Sequence, residues 1–298
     1  MDTIRYFDIA WLSKFDGPGT RLVVFLQGCN VKCKWCHSPH SWRKYSPVLL
    51  NKERCSLCGN CESVCENDVH RISNGIHTLH IENCVSCGKC IEACMDSSLS
   101  SKKGPLFLPT IELQVSKLFS LIYPQLKLLK KIGGITLSGG EALLQHKAAR
   151  ELLKLCKEEG IHTAVESSGF LPLENYKSVS EFVDYWLIGI RGVDKTSPKL
   201  STLRENLEFI TSINKEVLVR FPIICGYTDS EEQLKTTKEL MKEFSLPEIH
   251  LLPYNENAPH YYNAMDLPFG LEGNPSPSED QLETIRNYFK NSNINARL

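Results

Sequence analysis

Eleven of the thirteen cysteines in this chain of 298 residues fall between Cys29 and Cys94, and that crowding limits what the chain can become more than any other feature. An odd total in a chain of this length is a poor disulfide framework. Residues 1–10 carry Asp2, Arg5 and Asp8 and show no apolar signal-peptide region, so the expected compartment is the cytoplasm, where thiols stay reduced and crowded cysteines bind metal. Cys156 and Cys225 lie outside the crowd and read as buried structural thiols. A formal net charge of -1 offers no general attraction to nucleic acid or an anionic membrane, and no apolar run approaches the roughly 20 residues that span a bilayer. With 42% hydrophobic and 23% charged residues, a soluble globular protein is expected, and a monomer.

Eight of the cysteines form an internal repeat, Cys55-x-x-Cys58-x-x-Cys61-x-x-x-Cys65 and Cys84-x-x-Cys87-x-x-Cys90-x-x-x-Cys94. Short loops of this spacing bring successive sulfurs onto one 4Fe-4S cube. In the two-cluster bacterial ferredoxin arrangement the fourth cysteine of each run crosses to the other cube. That arrangement assigns Cys55, Cys58, Cys61 and Cys94 to one cube and Cys84, Cys87, Cys90 and Cys65 to the other. The usual proline after the fourth cysteine is missing, since Glu66 and Met95 stand there. Structural zinc also uses four cysteines, but two copies of one spacing favour iron–sulfur. Between the copies, Asn74-Gly75 separates two short β-type runs, 69–72 and 76–81, and signals a hairpin. His70, His77 and His80 lie here as surface or hairpin residues rather than ligands, because eight thiolates already complete both sets.

The remaining three, Cys29, Cys33 and Cys36, follow an x3 then x2 spacing just after an apolar strand. Three ligands on a four-iron cube leave one iron open, which is what a catalytic metal site requires.

Apolar runs at 21–27, 132–138, 162–167, 185–190, 217–224 and 249–252 lack clean polar alternation and read as strands buried on both faces of a parallel sheet. Helical patterns at 110–131 (kinked or broken near Pro124), 141–159, 173–181, 201–213 and 230–244 lie between them, with Ser201 and Ser230 as caps. A further helix is expected at 278–291, capping the sheet. Strand–helix alternation implies right-handed crossovers and an α/β fold. Six units are too few for a closed eight-fold barrel, so the expected architecture is a partial (β/α)6 barrel with an inserted two-cluster ferredoxin-like domain. The boundaries fall at 1–50 for the start of the barrel, 51–104 for the insertion and 105–298 for the remaining barrel and its cap.

The pattern Cys-x-x-x-Cys-x-aromatic-Cys, with Trp35 as the aromatic, resembles the signature of the radical S-adenosylmethionine (SAM) superfamily. Its flanks, Asp16-Gly17-Pro18-Gly19-Thr20-Arg21, Phe25-Leu26-Gln27-Gly28-Cys29 and Trp35-Cys36-His37-Ser38-Pro39, resemble the activating enzymes of glycyl radical enzymes. Further matches follow in family order: Ser138-Gly139-Gly140-Glu141, Glu166-Ser167-Ser168-Gly169, Arg220-Phe221-Pro222, and His250 in the last strand. The resemblance implies a SAM site lined by Trp35, His37, Gly139, Gly140, Glu141, Glu166, Ser167, Gly189, Ile190, Arg191, Arg220 and His250. Glu141 would meet the SAM amino group and His250 the ribose. It also implies three 4Fe-4S clusters and reductive cleavage of SAM to a 5′-deoxyadenosyl radical. That radical would take hydrogen from a glycine of a partner glycyl radical enzyme, with a flavodoxin or ferredoxin as electron donor. Where relatives carry Asp-x-Lys this chain reads Gly189-Ile190-Arg191; a monovalent-cation site beside SAM is then either lost or supplied by Glu166 and backbone oxygens alone. Two other readings share some of these features. One is a radical SAM enzyme acting on a small molecule or another peptide; the other is a ferredoxin-like electron carrier, which would leave the three-cysteine loop and the long α/β remainder without a purpose.

Overall fold

A computed structural model describes residues 2–96 and 104–298. Residues 97–103, the end of the expected 51–104 insertion, lie outside the described residues. In chain order the strands are β1 (Thr3–Ser13), β2 (Thr20–Leu26), β3 (Leu49–Leu50), β4 (His70–Ser73), β5 (Ile76–Leu79), β6 (Leu106–Phe107), β7 (Ile111–Gln114), β8 (Gly133–Gly139), β9 (His162–Ser167), β10 (Tyr185–Gly189), β11 (Glu216–Ile223), β12 (Glu248–Pro253) and β13 (Asn295–Arg297). The helices are α1 (Asn60–Val64), α2 (Lys89–Ala93), α3 (Val115–Leu129), α4 (His146–Glu158), α5 (Leu173–Val179), α6 (Leu200–Ser212), α7 (Glu231–Glu243), α8 (Ala258–Ala264) and α9 (Glu279–Lys290). No helix is long and apolar enough to cross a membrane among the described residues.

The principal sheet has the order β13-β12-β11-β10-β9-β8-β2-β1-β7. From β2 to β13 every pairing is parallel, while β1 pairs antiparallel with β2 and β7. The six apolar runs are the six parallel strands from β2 to β12. β8 and β10 are buried along nearly their whole length because helices cover the outer face and side chains fill the inner one. In a flat sheet, five strand spacings would put β2 and β12 about 24 Å apart. Yet Phe25 of β2 and Leu252 of β12 line one cavity, so the sheet is curled with its strand ends converging. The main core packs Leu22, Leu137, Val165, Trp186 and Phe221 against helix residues such as Leu118, Leu152, Tyr176, Leu207 and Phe289.

The helix expected over 110–131 divides. Residues 111–114 form the edge strand β7, whose backbone pairs with β1, and the helix then runs unbroken through Pro124. Burial of Leu118, Ile122, Leu126 and Leu129 on one face holds it, since packing rather than propensity carries most helical stability. α4 is preceded by a 3-10 turn over Ala142–Gln145. Ser201 does not cap α6, whose N-cap is Lys199 without a side-chain bond, whereas Ser230 and Ser278 do cap α7 and α9. β1, β13 and α8 were not legible, because β1 mixes buried and exposed positions without a period and the other two are short. Cys156 is fully buried, but Cys225 is not; it is half-buried, with Sγ 3.8 Å from Gln281 Oε1.

A second, smaller core gathers Val48, Leu49, Leu50, Val69, Leu79, Ile91 and Leu106 with Ala264 and Met265 at the end of α8. α1 and α2, each entered through a left-handed glycine (Gly59 and Gly88), repeat one another here, and β4 and β5 form the hairpin about Asn74-Gly75. Arg43, just past the three-cysteine loop, ties this region to the main sheet by donating to the carbonyls of Ile81 (2.9 Å), Cys84 (3.1 Å) and Glu82 (3.1 Å). Asp266 adds a second tie, accepting from Leu79 N at 2.7 Å and pairing with Lys52.

Candidate active site

The converging strand ends enclose a cavity of about 500 Å³. Cys29, Cys33, Trp35, Cys36 and His37 line it from the loop after β2; Ser138, Gly139 and Gly140 from β8; Glu166 and Ser167 from β9; Arg191 just past β10; and Arg220 from β11. The loop is fixed through its backbone. Gly28 N donates to Ser41 O (2.9 Å), Cys29 N to Trp42 O (3.3 Å), and Gly28 O accepts from Glu141 N (2.7 Å). At Gly140 a side chain has no room, for a Cβ would fall 2.2 Å from Gly28 O and 3.2 Å from Cys29 Cβ. The glycine pair therefore lets β8 press its backbone against the cysteine loop and the cavity.

All three cysteines line the one cavity. The amides of Val31 and Ser38 point at Cys29 Sγ (3.5 Å) and Cys36 Sγ (3.4 Å). Burial pushes the Cys36 thiol up to about 12, so a thiolate there needs a cation against it, which iron would supply. Trp35 Nε1, Arg191 Nε and Arg220 Nε are buried without a hydrogen-bond partner among the described residues. Such donors suit a polar, partly anionic ligand. A carboxylate and the acceptor nitrogens of an adenine would suit these donors, and Asp16 and Glu166 on the same cavity offer acceptors to an amino group.

Arg220 Nη1 sits 3.1 Å from Asp16 Oδ1 and 3.0 Å from Glu166 Oε2, and Ser138 Oγ donates to the same Glu166 oxygen at 2.6 Å. Burial alone would raise the Glu166 pKa; the Arg220 charge and the Ser138 hydroxyl outweigh it and bring it below the usual carboxylate range. Arg220 is thus committed to two carboxylates. For Arg191, burial works against the charge, but Cys33, Glu166 and Glu141 outweigh it and strengthen the guanidinium.

Several expected contacts are arranged differently. Glu141 turns inward: its Oε2 accepts from Ser168 N (2.8 Å) and Ser168 Oγ (2.6 Å), so the glycine backbone rather than this carboxylate faces the cavity. His250 stands outside the lining, with Nε2 3.4 Å from Glu248 Oε1. Gly189 and Ile190 are buried and do not line the cavity. A Cβ at 189 would meet Arg191 Nε and Nη2 at 3.3 Å, so the guanidinium folds back over the bare glycine. The guanidinium thus takes the place that a side chain at 189 would need. Ser167 lines the cavity while its Oγ lies 2.7 Å from Tyr176 Oη. The lining also includes Asp16, Ser138, Asn255 and Tyr261, which were not singled out from sequence as site residues. Asp16 and Ser138 stood inside quoted motifs. Asn255 and Tyr261 lie in a tail with no pattern to mark them.

The other eight cysteines divide between two small cavities. Cys55, Cys58, Cys61 and Cys94 line one, together with His77; Cys65, Cys84, Cys87 and Cys90 line the other, together with His70. His70 and His77 are hairpin residues but not surface ones, only 4% and 3% exposed. Cys58 and Cys87 are exposed.

The profile of the family described as "4Fe-4S single cluster domain" matches residues 15–218, a span running from the loop before β2 to β11. A curled, mostly parallel α/β sheet with three cysteines facing a ligand-sized cavity at its strand ends places the chain among the radical SAM iron–sulfur enzymes. The chain is 30% identical to the choline trimethylamine-lyase activating enzyme of Oleidesulfovibrio alaskensis, over 94% of this chain and 92% of that one. It is 32% identical to the isethionate sulfite-lyase activating enzyme of the same organism, over 87% and 86% of the two chains. A solved domain of a pyruvate-formate lyase-activating enzyme from Bacteroides vulgatus shares 24% identity at a TM-score of 0.44, covering 55% of this chain and 98% of its own. On the family profile and the full-length relatives, the chain belongs to the radical SAM activating enzymes of glycyl radical enzymes. It is an enzyme that uses an iron–sulfur cluster and SAM, and its partner is a glycyl radical enzyme.

Proposed function

We propose that Cys29, Cys33 and Cys36 hold the SAM-binding 4Fe-4S cluster, that the eight repeat cysteines hold two more, and that all three serve hydrogen abstraction from a glycine of the partner enzyme. When bound, the cluster supplies one electron to the sulfonium of SAM, whose C–S bond breaks to give methionine and the 5′-deoxyadenosyl radical. The observation that carries this reading is the meeting of three cysteines, two guanidiniums and the Gly139–Gly140 backbone on one cavity. Trp35 would pack on the adenine, the glycine backbone and Ser167 would take the amino acid end, and Arg191 would pair with its carboxylate. Glu166 and Asp16, held by Arg220, would balance the two guanidiniums on that wall. Glu141 acts one step back by holding Ser168 and with it the turn after β9. No group need act as a general base; the residues orient SAM and exclude water from the radical.

Two four-cysteine cavities, each mixing cysteines of both repeat copies, support the crossed ligand sets and an insertion over 51–104 between barrel segments 1–50 and 105–298. The exposed Cys58 and Cys87 would let a flavodoxin or ferredoxin deliver electrons there. The protein would work as a cytoplasmic monomer. Arg191 over Gly189 puts a fixed positive charge beside the cavity, and Glu166 is already occupied by Arg220 and Ser138, which together favour a SAM site that works without a monovalent cation.

Iron and zinc analysis of anaerobically reconstituted protein tests this. About twelve irons per chain are expected, falling to about eight when Cys29, Cys33 and Cys36 are all replaced by Ala. About four irons, with zinc in the remaining sites, would overturn the three-cluster reading. With the partner enzyme, SAM and a reductant present, a doublet electron paramagnetic resonance signal from a glycyl radical is expected.

A further inference from the structure

His70 and His77 lie on the same face of the hairpin as diagonal neighbours, since His70 is opposite Leu79 and His77 opposite Ile72. Their rings form a chain that ends on sulfur. His70 Nδ1 is 3.0 Å from His77 Nε2, and His77 Nδ1 is 3.3 Å from Cys55 Sγ. Both rings are almost completely buried, and His70 Nε2 has no partner among the described residues. His77 lines the cavity of Cys55, Cys58, Cys61 and Cys94, while His70 lines that of Cys65, Cys84, Cys87 and Cys90, so the bonded pair spans the wall between them.

We propose that His77 donates a hydrogen bond from Nδ1 to the Cys55 thiolate and thereby raises the reduction potential of the cube held by Cys55, Cys58, Cys61 and Cys94, with His70 fixing its tautomer. This rests on the three-cluster reading. A thiolate sulfur bound to iron can only accept, so Nδ1 must carry the proton. His77 Nε2 is then an acceptor with two neighbours, His70 Nδ1 at 3.0 Å and Cys61 Sγ at 3.8 Å; an iron-bound Cys61 thiolate has no proton to give, so His70 Nδ1 must donate to it. One-electron reduction adds negative charge to the cube, and a donor on a ligand sulfur stabilises that form. Cys84, the repeat counterpart of Cys55, receives a backbone amide instead, from Val48 N at 3.4 Å. Among the described residues, the Cys55 position of one cube thus meets a side-chain donor where its repeat counterpart meets a backbone amide. His77 is a positioning residue and does not line the cavity of Cys29, Cys33 and Cys36.

The test is a redox titration of the reconstituted full chain followed by electron paramagnetic resonance, in a background with Cys29, Cys33 and Cys36 replaced by Ala so that only the two repeat cubes report. In His77→Phe the reduced-to-oxidised ratio of one cube at fixed potential is expected to fall about tenfold, equivalent to about 59 mV for a one-electron couple, with the other cube unmoved. His77→Asn keeps a donor near Cys55 and should restore most of the ratio. His70→Phe should lower it in the same direction but less. Unchanged potentials in all three variants, or equal shifts of both cubes, would overturn the proposal. Should His77→Phe fail to hold its cube, His70→Phe and His77→Asn decide by the same criterion. A stoichiometric zinc lost on His70→Phe would overturn it in favour of a separate metal on Cys61, His70 and His77, whose ligand atoms lie within 4.8 Å of one another. Iron near four per chain in the unsubstituted protein would refute the three-cluster reading itself and is measured first.

Discussion

Arg220 bridges Asp16 and Glu166 at the wall of the cavity, and the energetic argument of the site starts from that bridge. Replacing Arg220 with Leu leaves two largely buried carboxylates without their cation, which is expected to cost about 2–4 kcal/mol of stability and to weaken SAM binding. The Glu166 pKa is lower folded than unfolded, so its contribution is fully present above the unfolded value and is lost as pH falls through the folded one. The stability gap between wild type and Arg220→Leu, read from denaturant midpoints, should therefore be widest above about pH 5 and narrow in acid. A gap that grows toward acid would contradict this assignment. At Gly140 a methyl group would meet Gly28 O and Cys29 Cβ, so Gly140→Ala should displace the cysteine loop. The expected signature is about 1–3 kcal/mol of destabilisation with a marked loss of SAM cleavage, checked by product assay on protein of measured iron content. The grouping of the cysteines about three cavities was legible from sequence, because short, repeated spacings keep such side chains together. The inward turn of Glu141 was not, because it depends on Ser168, 27 residues further along the chain; the sequence shows Gly189 and Arg191 but not that the guanidinium folds back over the glycine.

At the level of elements, the six parallel strands could be read almost residue for residue; β2, β8 and β10 are buried along most of their length, and β9, β11 and β12 keep buried apolar residues in their middle. β1 and β7, half-exposed at the antiparallel edge, carry no such mark, and by pattern alone β7 cannot be told from the helix that follows it. α9 was legible because its start has chemical punctuation: Ser278 accepts from Gln281 N, and the Gln281 side chain accepts from Ser278 N. Ser278→Ala should remove about 1 kcal/mol, visible as a lower denaturant midpoint with unchanged slope. An unchanged midpoint would mean that packing of Phe289 and Ile285, not the cap, sets the helix start.

The whole molecule joins two cores of unequal strength. The curled sheet has a large apolar interior, whereas the region over 48–96 relies on a few residues such as Val69, Leu79 and Ile91 and on ties through Arg43 and Asp266. If that region holds two cubes, metal binding and its local folding are linked. Limited proteolysis should then cut metal-free protein preferentially within residues 51–96 and spare reconstituted protein there; equal cutting would argue that the small core stands alone. The curl of the sheet follows from the number of strands and their hand, but the enclosure of the cavity also needs the loop at 13–19 and the tail after β12, whose positions no periodicity announces. The most direct measurement is 5′-deoxyadenosine formed from SAM under dithionite by anaerobically reconstituted wild-type protein and by Cys33→Ala. Product from wild type and none from Cys33→Ala, with the eight repeat cysteines intact in both, is expected. Equal product from the two proteins, or none from wild type with its iron complete, would contradict a SAM-cleaving cluster on the three-cysteine loop.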